Sequence, residues 1–262
     1  MEKETELSNE IINLLSEYPK ARKMFSELYS NKTIRTYIDS ANLMAVKRLG
    51  YNDHGIIHSL ITTKNAILIH KYLTESLKPS VVSEGLGTLD DSLLVTISAA
   101  YLHDIGHNVH REIHYMWSVI LAEPLLQKIL VKFYKEPTLI YILSHILHAI
   151  YTHDEAVESL TVEAGIVKIA DGSDIAEGRS RIPFSLGKID IHSVSALAVK
   201  RVLITRGTKK PVKIIVEMDN PAGIFQVEYI LGRKMETSGL DQYIDLDVFV
   251  GKKEIHLSEF DE

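Results

Sequence analysis

The sequence predicts a mainly helical protein closed by a small α+β domain, and three observations carry that prediction. From residue 7 to about residue 173, apolar residues recur at the three- and four-residue spacing of buried helix faces. After Pro183 the pattern changes, and residues 188–206, 211–218 and 243–250 alternate and are rich in Val and Ile, as strands are. The 262-residue length, with 45% hydrophobic and 24% charged residues, suits one large core with a small second domain. The expected division is a helical domain over 1–185 and an α+β domain over 186–262.

Residues 7–30 show the helical spacing interrupted at Pro19, and residues 33–49 repeat it. Asn52-Asp53-His54-Gly55 reads as a turn into a further helix, with Asp53 as its candidate N-cap. On that helix His58 shares a face with Ile61, Asn65 and Leu68, which turns the imidazole inward. Residues 78–90 read as a loop from their Pro, Gly and Ser content. Leu93 to Leu102 is apolar and reads as a buried helix that ends in His103 and Asp104, with Gly106 breaking it. Residues 112–132 and 138–153 read as helices, with Pro124 and Pro137 at turns or first-turn positions. In the second of these His153 lies in phase with Ile142, Ile146, Ala149 and Ile150, while His145 and His148 lie on a different face. A helix over roughly 160–173 aligns Leu160, Ala164, Val167 and Asp171. Beyond it the strands are joined by a turn at Asn220-Pro221-Ala222-Gly223 and a helix over 224–238.

Residues 101–114 hold four of the twelve histidines. A His–Asp pair at the end of a buried helix needs a strong partner. An imidazole and a carboxylate that converge there suit a divalent cation; the structural alternative is a simple His–Asp ion pair. Asp171, on a nearly all-apolar helix, needs either a cation or several donors. The chain contains no cysteine, which excludes disulfides, thiolate catalysis and Cys-zinc modules and leaves His and carboxylates as metal ligands. No apolar run approaches membrane-spanning length, and the start, MEKETELSNE, is polar and acidic. A cytoplasmic protein without a membrane partner is expected. Between Gly178 and Val216 nine Lys/Arg face one acid, Asp190, in a chain of net charge −6. Such a segment either faces anions or balances an acidic neighbour.

With GIIHS, AAYLHDIGH and VKIADGSD in order, the sequence resembles the HD-domain phosphohydrolase superfamily over roughly residues 40–180. The resemblance implies a helical HD fold and hydrolysis of a phosphate ester or anhydride, often in a nucleotide. Members with two metals add two histidines between the HD pair and the last Asp; His114 in REIHYMWSVI and His153 in HAIYTHDE match them. The ligand set it implies is His58, His103, Asp104 and Asp171 for one ion, with His114 and His153 on a second and Asp104 bridging. One or two divalent ions are expected, of Mn, Fe, Co, Ni or Mg. The paired histidines and Gly-Tyr-Pro stretch of members acting on cyclic dinucleotides are missing, since Thr152 precedes His153. The ADGSDIAEGRSRIP segment and its tail resemble two-domain HD proteins of unassigned substrate.

His107, one turn beyond His103, is the candidate catalytic proton donor beside Asp104. Arg111, Arg179 and Arg181 are candidate phosphate clamps. The expected substrate is a small phosphate compound, a nucleotide first. Two alternatives stand beside it: a phosphodiesterase or nuclease that grips a nucleic-acid backbone with the basic segment, and a regulatory module with a structural metal. Homo-oligomerisation through the tail is a further open expectation.

Overall fold

The computed structural model describes residues 2–176, 191–251 and 253–255. Helices α1 (Glu2–Leu14), α2 (Pro19–Tyr29) and α3 (Lys32–Asn42) come first, with Pro19 at the first position of α2, where its missing N–H costs nothing. A π-helical stretch, Leu43–Arg48, leads to α4 (Ile56–Leu73). Then follow α5 (Ser80–Ser83), α6 (Leu89–Leu102), a 3-10 turn at Ile105–Asn108, α7 (His114–Leu130), α8 (Thr138–Tyr151) and α9 (Val162–Gly172). No helix among the described residues is long and apolar enough to cross a membrane.

Helix α6 is the axis of the bundle. A Thr88–Asp91 capping box starts it, and every residue from Asp91 to Leu102 is buried. A helix that is apolar all round must be covered all round, and α2, α4, α5, α8 and α9 pack against it. Helix α9 is enclosed in the same way, with Glu163 to Gly172 all buried.

The C-terminal part opens with α10 (Ile191–Ala198), followed by β1 (Val199–Arg206) and β2 (Val212–Met218). A helical crossover then runs through α11 (Ile224–Gln226), a π-helical stretch (Val227–Gly232) and α12 (Arg233–Glu236) to β3 (Ile244–Val250) and β4 (Lys253–Ile255). The sheet order is β1-β2-β3-β4, with β2 and β3 parallel and the outer pairs antiparallel. A parallel pair needs a crossover, and the 221–236 helices supply it. Along β2 the residues Val212, Ile214, Val216 and Met218 are buried in strict alternation. The sheet packs on α4, and the crossover helices pack on α9.

The mainly helical bundle with an α+β tail is what the sequence predicts, but several local expectations need correction. Residues 191–198 form a helix rather than the start of a strand. The helix expected over 224–238 is interrupted by π geometry and ends at Glu236. Gly55, not Asp53, is the N-cap of α4; Asp53 Oδ1 instead accepts from Gly55 N at 3.3 Å within the preceding turn. Helix α6 ends at Leu102, before Gly106, so that glycine does not break it. Gly106 is small for a different reason: a Cβ there would lie 1.9 Å from the His114 carbonyl, so only glycine lets α7 approach. Leu160 is 79% exposed and precedes α9 rather than sharing its buried face. The expected domain boundary at 185/186 lies outside the described residues.

Candidate metal centre

The C-terminal ends of α6, α8 and α9 meet the N-terminal end of α4 and the start of α7. His103 is the C-cap of α6, and Asp104 follows with φ −102 and ψ 0, a turn geometry that swings its carboxylate under the helix end. That carboxylate is the hub. Its Oδ2 lies 2.6 Å from His54 Nδ1, 3.2 Å from His58 Nε2 and 3.2 Å from His103 Nε2. Its Oδ1 lies 3.4 Å from His107 Nε2, 3.5 Å from His114 Nε2 and 3.6 Å from His153 Nε2. One buried carboxylate thus divides six imidazoles into two sets of three. On the first side Asp171 Oδ1 adds a second carboxylate, 3.2 Å from His58 Nε2 and 3.6 Å from His103 Nε2.

The second ring nitrogens fix the tautomers. His103 Nδ1 donates to Ala100 O at 2.9 Å, and His153 Nδ1 donates to Ile150 O at 2.6 Å. Each uses a carbonyl left unpaired at a helix end. His58 Nδ1 donates to Asp174 Oδ2 at 2.7 Å. Since carbonyls and carboxylates only accept, these three Nδ1 atoms hold the protons and the Nε2 lone pairs point inward. There His58 Nε2 and His103 Nε2 face each other at 3.1 Å; His114 Nδ1 instead accepts from Arg111 Nη1 at 3.3 Å, so its Nε2 carries a proton and donates it to His153 Nε2 at 3.0 Å.

With both protons on Nδ1, the His58–His103 contact needs a further proton or a cation between the two Nε2 atoms. Burial opposes charge on His103, yet Asp104 and Asp171 outweigh it and push its pKa up to about 9. Burial would likewise raise both carboxyls, but His103 and His54 hold Asp104 well below the usual carboxylate range, and Lys234 and His103 do the same for Asp171. His114 and His153 are lowered, mainly by burial, and so remain neutral. The donor set therefore fits divalent cations with N and O ligands. His58–His103–Asp171, His103–Asp104–His153 and His54–Asp104–His107 each present one ligand atom per residue, all within 4.8 Å of each other.

The structure brings together His58, His103, Asp104, His107, His114, His153 and Asp171 from the sequence-predicted set. His107 is buried, its ring 4.5 Å from those of both His54 and His114, and neither of its nitrogens makes a hydrogen bond. Arg111 stands at the rim, with Nη1 3.3 Å from His114 Nδ1 and its guanidinium over the Tyr51 ring. His145 pairs with Glu84 and His148 accepts from Leu160 N, both away from the centre. Arg179 and Arg181 lie outside the described residues. Three participants were not among the predicted residues: His54, Asp174 and Lys234, which donates to Asp171 Oδ2 and to His153 O. The i, i+3 spacing of Asp171 and Asp174 was a usable signal for the second; nothing local pointed to Lys234.

Four residues of the basic segment pair with carboxylates. Lys200 pairs with Asp219, Arg201 with Glu217, Arg206 with Glu75 and Lys213 with Asp247, while Lys210 Nζ donates to the Asp241 and Ile244 carbonyls. Lys200, Arg201, Arg206 and Lys213 thus balance acidic neighbours.

A helical bundle that gathers histidines and aspartates around one buried carboxylate is the frame of a metal-dependent hydrolase. The HD domain family matches residues 55–176, and this chain belongs to the HD-domain superfamily. HD domains bind divalent metals, and the His/Asp groups here could hold them. An uncharacterized protein of Methanocaldococcus jannaschii is 44% identical over 245 residues, covering 93% of this chain and 94% of the relative. No solved structure matches the chain.

Proposed function

We propose that this chain hydrolyses a phosphate ester or anhydride in a small phosphate compound, a nucleotide first, at a centre where Asp104 would help hold two divalent ions. The observation that supports this reading is the division of imidazoles between the two Asp104 oxygens, with the His58 and His103 lone pairs facing each other on one side and the His114 and His153 Nε2 atoms 3.0 Å apart on the other. His58, His103 and Asp171 would hold one ion, His114 and His153 the other, of Mn, Fe, Co, Ni or Mg. Bound divalent cations supply an activated water and neutralise phosphate oxygens. Asp174 and the Ala100 and Ile150 carbonyls keep the imidazoles oriented through their Nδ1 protons. His107, without hydrogen bonds of its own, is available to hand a proton to a leaving oxygen. Arg111, at the rim, can bind a phosphate oxygen pair.

The pairing of the basic strand residues with carboxylates favours a compact substrate over a long polyanion. A phosphate-release screen over nucleotides and phosphate esters, with Mn, Co, Ni or Mg added, tests the reading. We expect metal-dependent release from one small-substrate class and close to two ions per chain by elemental analysis. Turnover confined to oligonucleotides would favour the nuclease reading. Two tightly bound ions without turnover of any phosphate compound would favour a regulatory module.

A further inference from the structure

Lys234 comes from α12, on the far side of the sheet crossover, yet its side chain is only 9% exposed and ends inside the metal centre. Its ammonium donates to Asp171 Oδ2 and, at 3.0 Å, to His153 O. It therefore touches one proposed ligand of each ion, by side chain in one case and by backbone in the other. Helix α9 is shaped to admit it. A Cβ at Gly172 would lie 3.1 Å from Lys234 Cδ and 3.3 Å from its Cβ. Seven residues earlier, a Cβ at Gly165 would lie 2.4 Å from Ser238 O. Glycines two turns apart on one helix face open the groove in which the 234–240 segment lies.

A second buried lysine provides the contrast. Lys168, on α9, donates to Val157 O, to Thr237 O at 3.0 Å and to Thr237 Oγ1 at 2.9 Å. It ties the same tail segment to the bundle but touches no group of the centre. Anchoring the tail thus has its own lysine. A buried ion pair adds little to folding compared with an apolar contact of the same size, so docking alone gives no reason for a second buried lysine, this one paired with a ligand carboxylate.

We infer that Lys234 is a positioning residue of the metal centre: by occupying Asp171 Oδ2 it holds that carboxylate with Oδ1 toward His58 and His103. The C-terminal domain then completes the site rather than merely adjoining it. This rests on the proposed metal centre, and partners one step removed from a metal typically change its affinity by ~10–100-fold.

The test is calorimetric titration of metal-stripped full-length protein with Mn²⁺, compared among wild type, Lys234→Gln, Lys234→Arg and Lys168→Met. In Lys234→Gln one of the two ions should bind roughly 10–100-fold more weakly, with most of the loss recovered in Lys234→Arg, which keeps the cation. Lys168→Met should lower stability while leaving both affinities as in wild type. Should Lys234→Gln fail to fold, Gly172→Ala crowds the Lys234 stem with Asp171 and Lys234 both kept, and one ion should again weaken. Wild-type affinities in Lys234→Gln, or in Gly172→Ala where that variant is used, overturn the inference. So does an equal loss in Lys168→Met, which would assign the effect to tail docking in general. Wild-type protein that binds no Mn²⁺ would remove the metal reading itself, an outcome distinct from either.

Discussion

Helices α4, α6 and α9 carry a buried polar cluster at both ends, and the two clusters behave in opposite ways. At one end Glu163 accepts from Ser80 N at 3.2 Å, Val81 N at 3.0 Å and Ser92 Oγ at 2.8 Å. Ser92 gives its only proton to Glu163, so the 2.9 Å contact with His70 Nε2 is a donation from the imidazole. Donors and acceptors match at each of these contacts, and His70 Nδ1 alone is left without a partner. The carboxylate also sits in the first turn of α9, facing the opening N–H groups of α5, where helix dipoles favour negative charge. At the other end α6, α8 and α9 terminate, their dipoles favour positive charge, and carboxylate oxygens, imidazole nitrogens and the Lys234 ammonium face inward. Burial of histidine with carboxylate occurs in both places. What distinguishes the functional end is that two carboxylates, Asp104 and Asp171, converge on the same imidazole Nε2 atoms, a donor set that fits a divalent cation.

The largest expected effects come from removing the hub of each cluster, and they should be of different kinds. Asp104→Ala should lose most bound metal and at least ~10³-fold in turnover while remaining folded. Glu163→Ala should leave the Ser80, Val81 and Ser92 donors without their acceptor and cost ~3–5 kcal/mol of folding stability, with the metal content of the folded fraction unchanged. Denaturant unfolding and elemental analysis of both variants separate the two. Metal loss in Glu163→Ala, or metal retention in Asp104→Ala, would erase the distinction between the ends.

Acid should act on the matched cluster through His70. Burial pushes this imidazole down to about 3 from its ordinary 6.5. Below pH 6.5 the unfolded chain takes up a proton there that the folded chain refuses, so stability falls as pH drops from 6.5 toward 3. Between pH 6 and 5 the loss from this one group should be about 1 kcal/mol. His70→Asn should show a correspondingly shallower dependence in metal-free protein. Parallel slopes for the two proteins would mean that His70 takes up its proton in the folded state.

What could be read from the sequence follows from what is local. His58, the His103–Asp104 pair, Asp171 and His153 each lie at or next to the end of an apolar, periodic segment, so phase alone turns them inward. The all-apolar character of α9 announced that both its faces are covered, though not that the 234–240 segment covers one of them. His54 was hidden in a turn, because the backbone of residues 51–55 and not helix phase aims it at Asp104. Lys234 was out of reach, since its role depends on a contact 63 residues away across the tail. Residues 191–198, Ile-His-Ser-Val-Ser-Ala-Leu-Ala, imitate a strand because small and polar residues alternate with apolar ones. Tertiary packing decides such short runs, and here it selects a helix.

The smallest expected effect also separates the two ends, through the backbone. Ile113, immediately before His114, has φ +50, and among the described residues it is the one non-glycine residue with positive φ. It is the N-cap of α7, offers no side-chain cap, and is 42% exposed. A β-branched residue in left-handed geometry costs on the order of 1–2 kcal/mol. No such strain occurs beside Glu163. The strained turn fits the close approach of His114 to Gly106, whose missing side chain makes room for the His114 carbonyl. Asn tolerates left-handed geometry and can accept from the first free N–H groups of a helix, and an exposed Ile gives up little packing. Ile113→Asn should therefore raise the melting temperature by roughly 2–4 °C, the shift that ~1 kcal/mol produces in a chain of this size. Metal content should stay as in wild type, because the Asn keeps the same turn and the same position for His114. A lower melting temperature would show that Ile113 packs more than its exposure suggests. A raised one accompanied by loss of an ion would show instead that the strain itself aims His114.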